Sequence, residues 1–189
     1  HAQQTPANVA ELPIADVHFH YMAFMKPEEL LARMDKHNIR WVVSAGAQGM
    51  AGVAGSGSAG KNPWMRDSDL KHELKDRFVA AVGGPETFQG ERRDGPPFYT
   101  DASNLWAVAA IQRMNDLLKN DKRSFVEMFP NAENSSLEPM RRRRLPTNAP
   151  FFKELMTLAV RHNVPVPMHM EWHPDSVAQL GELLAEFPQ

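Results

Sequence analysis

Ile14-Ala15-Asp16-Val17-His18-Phe19-His20 is the stretch on which the fold turns: an apolar run closing on two histidines, with the opening of a helix, Pro27-Glu28-Glu29-Leu30-Leu31, soon after. A β-strand sends alternate side chains to opposite faces, so His18 and His20 share one face with Asp16 below them. Two imidazoles so placed can hold one metal ion, and a nearby carboxylate can orient a ligating ring by accepting its other N–H. A hydrogen-bonded histidine pair in a polar core is the other reading of the same pattern, and the motif alone leaves both open.

Outward from this stretch, strand and helix alternate. A helix is predicted over 26–38, with Pro27 in its first turn and Leu30, Leu31 and Met34 as its apolar stripe. A strand follows over 40–45, then a helix over 67–76 and a strand over 77–82. The strongest helical pattern covers 102–120, where Leu105, Val108, Ile111, Met114, Leu117 and Leu118 recur at helical spacing. A strand over 124–129, a helix over 150–162, a strand over 164–170 and a helix over 174–187 complete the series. Such alternation predicts a parallel sheet with right-handed crossovers.

Loop lengths select the type of sheet. Helix-to-strand connections are short, whereas those leaving strands two, three and four each run to about twenty residues, against a usual two to six. Elaboration at one end is the asymmetry of a (β/α)8 TIM-type barrel, of which this chain holds about five of the eight units. A doubly wound open sheet also puts its site at that end and is the alternative. Pro165 and Pro167 lack the N–H that a strand ladder needs, so strand five is expected to pair imperfectly.

Composition narrows the chemistry. The 189 residues are 42% hydrophobic with a formal charge of -2, enough for one sizeable core and without the basic excess of a nucleic-acid binder. There is no cysteine, which excludes disulfides, thiolate metal sites and cysteine nucleophiles. No apolar run reaches the roughly 20 residues that span a bilayer, so no membrane partner is expected. Residues 1–12 read as a polar leader, favouring a periplasmic or secreted protein over a cytoplasmic one. Residues 13–189 read as the N-terminal portion of a single barrel domain.

Asp16-x-His18-x-His20 followed by Pro27-Glu28-Glu29-Leu30-Leu31 resembles the opening of the amidohydrolase superfamily, in its branch of small-molecule hydrolases, lactonases and decarboxylases. Phe151-Phe152-Lys153-Glu154-Leu155 through Asn163-Val164-Pro165-Val166-Pro167-Met168-His169 resembles the helix-four and strand-five segment of that branch. The resemblance implies a metal-dependent barrel with His18, His20 and His169 as ligands, most simply of zinc, and a metal-activated water as nucleophile. It implies a small ester, lactone, amide or carboxylate substrate, by hydrolysis or decarboxylation. Glu127, at the end of strand four, is the further candidate, since some members use a carboxylate there; with Asp16 it makes up the candidate catalytic pair. A polar-core glutamate is the bland alternative. Glu171 has the strand parity of His169 and is a lesser pocket candidate, and Trp172 and His173 border the same strand end.

The family's further histidine on strand six and aspartate on strand eight have no counterpart here. The expectation is therefore that further residues, a second polypeptide or another copy complete the barrel. Alternatives within reach are a metal-independent lactonase of the same fold and a non-catalytic protein that binds anions near Arg141 to Arg144. That arginine run reads first as a solvated face. Gly55-Ser56-Gly57-Ser58-Ala59-Gly60-Lys61-Asn62 approaches a phosphate-binding loop, but Asn62 stands where Ser or Thr is needed and Pro63 interrupts the helix that should follow. The glycines of 46–60 instead predict a mobile loop, and the remaining tryptophans and methionines read as packing.

Overall fold

The computed structural model describes residues 12–21, 26–47, 67–134 and 142–188. They fall into two compact units, 1–80 and 81–189. The leader up to residue 11, the glycine loop beyond Ala47 with its near phosphate-loop motif, Trp64 and Arg141 lie outside the described residues.

In the first unit, β1 (Ile14–Tyr21) is followed by α1 (Pro27–Lys36), which begins at Pro27 because proline's fixed φ suits a first turn. Glu28 and Glu29 at its start and Arg33 and Lys36 at its end match the helix dipole. Asn38, in the left-handed region at φ 53°, ends the turn, and its amide donates to the Leu12 carbonyl at 2.8 Å. β2 (Ile39–Ala47) then pairs parallel with β1, and α2 (Asp67–Leu74) leads through the 3-10 turn Lys75–Arg77 into β3 (Phe78–Val82), parallel to β2. Leu30 and Met34 of α1 and Leu70 and Leu74 of α2 bury their faces against Phe19, Val42, Phe78 and Ala80 of the strands. Arg77 secures the base by donating to the Asp35 carboxylate at 2.6 Å and the Ile39 carbonyl at 2.8 Å.

β3 runs across the division between the units. In the second unit, the Val82 carbonyl accepts the Val126 N–H at 2.9 Å, beside β4 (Arg123–Phe125), which follows β3 in the sheet order. The connection between them is not the open loop expected after strand three. It holds α3 (Gly84–Asp94) and the single turn α4 (Pro97–Thr100) before α5 (Leu105–Asn120). The buried residues of α3 are Thr87, Gly90 and Glu91, so a search for apolar periodicity passes over it. Gly90 is required there: a Cβ would stand 2.4 Å from the Phe98 ring. Asn104 starts α5 three residues later than the apolar pattern suggests, its side-chain oxygen accepting the N–H groups of Trp106 and Ala107, each at 3.0 Å.

Two strands depart from expectation. The fourth, read as 124–129, is interrupted at Val126-Glu127, and its second part is β5 (Met128–Asn131). The fifth shortens to β6 (Met168–Met170), parallel to β5, because Pro165 and Pro167 cannot donate to a ladder. The Pro167 carbonyl still accepts the Met128 N–H at 2.9 Å. α6 (Pro150–His162), closed by Asn163 at φ 54°, precedes β6, and α7 (Pro174–Glu186) follows it. The core of this unit is aromatic: Phe98, Phe125 and Phe152 are fully buried among Met114, Leu155 and Tyr99.

The arginine run is a solvated face only in part: Arg142 and Arg144 are exposed, and Arg143 is not. Arg143 is largely buried, paired with Glu91 and donating to the Tyr99 hydroxyl at 2.9 Å, and Arg144 pairs with Asp175. Their charges are matched by carboxylates of the same unit. The protein is therefore a mixed α/β chain with parallel strand pairing in both units.

Candidate metal centre

On β1, Phe19 turns into the core while His18 and His20 lie on the other face, as strand alternation requires. Their Nε2 atoms are 3.1 Å apart and the rings meet edge to face, with centroids at 4.8 Å. Two donors each about 2.0–2.1 Å from one ion at the tetrahedral angle lie about 3.3 Å apart, so the pair is spaced for a shared ion. The same separation suits one neutral imidazole donating to the other.

The local backbone explains how both rings reach this position. The β1–β2 register shifts between Asp16 and Phe19, so that Val17 and His18 fall within an irregularity of the ladder. Asp16 Oδ1 accepts the His18 backbone N–H at 3.1 Å. The carboxylate expected to orient a ring thus holds the main chain of the residue that carries one.

In the second unit, Glu127 sits in the interruption between β4 and β5, and His169 is the central residue of β6. Met128 and Met168 are register partners in this parallel pair, so Glu127 and His169 lie one residue to either side of that pairing and their side chains reach across the step between them. His169 Nδ1 lies 3.3 Å from Glu127 Oε1, and the ring packs against Phe129 at 5.1 Å between centroids. A carboxylate on Nδ1 fixes tautomer and ring orientation and presents Nε2 as the donor to an ion. His18 and His20 are thus brought together within the first unit, and Glu127 and His169 within the second.

Glu171 lies just past β6. Its carboxylate accepts the Asn134 backbone N–H at 2.5 Å and the Asn134 amide at 2.8 Å. Partial burial pushes its pKa up, but the Asn134 bonds and His173 outweigh this and hold the carboxyl below the usual range. Trp172 is exposed and His173 is the N-cap residue of α7. Sequence reasoning missed Asn131, which is fully buried, donates to Ser176 Oγ at 3.0 Å and accepts the Glu171 N–H through its side-chain oxygen. The signal was present in an amide directly following Met128-Phe129-Pro130, at the end of a buried strand.

Comparison with protein families, curated proteins and solved structures finds no match to this chain. Among the described residues, no helix is long and apolar enough to cross a membrane.

Proposed function

We propose that this chain supplies βα units of a (β/α)8-type barrel and belongs to a metal-dependent hydrolase or lyase of the amidohydrolase type. In this reading His18, His20 and His169 are ligands of one divalent ion, zinc being the natural match to an all-imidazole set. The observation that carries it is the 3.1 Å separation of the His18 and His20 Nε2 atoms on one strand face. When bound, such an ion would supply Lewis acidity, polarising a substrate carbonyl and lowering the pKa of a bound water toward neutrality.

The chain's own residues supply position. Asp16 holds the His18 main chain within the strand irregularity, and Glu127 holds the His169 ring through Nδ1. Imidazoles ligate in their neutral form, so protons compete with the metal for these side chains.

The test is elemental analysis of the purified protein joined to a screen of esters, lactones, amides and aromatic carboxylates. Bound zinc, with turnover lost on chelation and in His18→Ala and His20→Ala, is the expected result. Turnover that persists in metal-free protein would replace this reading with a metal-independent lactonase. Ligand binding retained after both substitutions, with no turnover in any variant, would replace it with a non-catalytic binding protein.

A further inference from the structure

A second set of metal-ligating side chains lies within residues 81–189, made of residues that the reading above does not use. Glu133, Glu171 and His173 each offer one ligand atom, all within 4.8 Å of one another. His173 Nε2 stands 3.3 Å from Glu171 Oε2 and 3.8 Å from Glu133 Oε2. We propose that these three side chains form a separate divalent-cation site, of zinc type, at the end of the β5–β6 pair.

The donor set argues for it. One imidazole and two carboxylates are the mixed ligands of a borderline ion, and three protein donors leave positions for water. Ligand atoms about 2.0–2.2 Å from a tetrahedral ion lie about 3.3 Å apart, which the His173–Glu171 pair already satisfies. Glu133 is exposed on a turn and needs only a small swing of its side chain.

The framework is set before any ion arrives. The donors come from the turn after β5, the chain leaving β6 and the N-cap of α7. Asn131 joins these segments: buried, it accepts the Glu171 N–H and donates to Ser176 in the first turn of α7. The Asn134 amide fixes the Glu171 carboxylate. Such preorganisation is what distinguishes a built site from a set of exposed acids. Charge also favours a cation. Two of the three donors are carboxylates, and the Arg144 guanidinium, 3.7 Å from Glu133, is itself paired with Asp175.

The experiment is zinc titration of the metal-stripped full chain by calorimetry. Wild type is compared with His18→Ala/His20→Ala and with Glu133→Gln and His173→Gln. The β1 double variant should retain one zinc per chain, and adding His173→Gln to it should weaken that zinc by about 100-fold or more, beyond the 10–100-fold of an outer-shell change. Glu133→Gln, on an exposed turn, should weaken the same zinc without changing the circular dichroism or the melting temperature of the metal-free protein. If the β1 double variant binds no zinc, or if neither Glu133→Gln nor His173→Gln alters what it binds, the proposal is overturned. Zinc lost with the β1 histidines alone would overturn this site and leave the reading of the first one standing; zinc retained only here would do the reverse.

Discussion

Asp175 occupies the first turn of α7, where the helix dipole favours a negative charge, and pairs with Arg144. The Arg144 bond is the main reason its carboxyl is held below the ordinary 3.8. A folded pKa depressed below the unfolded one contributes stability that is present above the unfolded value and lost as pH falls through the folded one. Asp175→Asn should therefore lower the denaturation midpoint at neutral pH, and the gap to wild type should close below about pH 4; a gap independent of pH would contradict this. Glu127→Gln should weaken zinc at His169 by about 10–100-fold, read by titration, because the amide orients Nδ1 less firmly than a carboxylate. At this scale the histidine pair was legible in the sequence, since alternation on a strand is a local rule. The partner of His169 was not, because it depends on the register between β5 and β6, which no local pattern encodes.

Among the elements, Gly83 marks where β3 hands over to α3. Its φ of 110° suits glycine, and a Cβ there would lie 2.7 Å from Met128 Cε and 3.2 Å from Val126 Cγ2. Gly83→Ala should destabilise the protein by about 1–3 kcal/mol, measured by denaturant unfolding; an unchanged midpoint would show that the backbone relaxes freely. Elements with apolar stripes were readable: α6 spans the same residues in sequence and structure, because Phe151, Phe152, Leu155 and Leu158 bury one face and Asn163 stops the helix in the left-handed region. α3 was not, because its buried side is threonine, glycine and a glutamate paired with Arg143. The ends of β6 were half legible, in that Pro165 and Pro167 foretold weak pairing without saying that the strand would contract to Met168–Met170.

For the whole molecule, the alternation of strand and helix was enough to indicate an α/β protein with parallel pairing, because it rests on many short-range patterns that agree. Its hydrophobic residues gather in separate clusters, one centred on Leu70 and Phe78 and the other on Phe98 and Phe152. Phe152→Ala should cost about 3–5 kcal/mol and Leu70→Ala about 2–5 kcal/mol. Hydrogen exchange should show each substitution lowering protection mainly around its own cluster, and uniform loss from either would indicate a single cooperative core. The interruption at Val126-Glu127 has a consequence for how such a sequence can evolve. It separates a strand that lies beside β3 from one that pairs with β6, and strand side chains repeat every second residue. Losing or gaining one residue there would turn β5 over, driving half-buried Phe129 toward the place of buried Met128 and carrying the carboxylate away from His169. Natural relatives should therefore exchange residue types freely at many surface positions yet keep an unbroken alignment, without insertion or deletion, from Arg123 to Asn131; a relative that binds zinc and carries a gap in this stretch would show that the interruption tolerates changes of length.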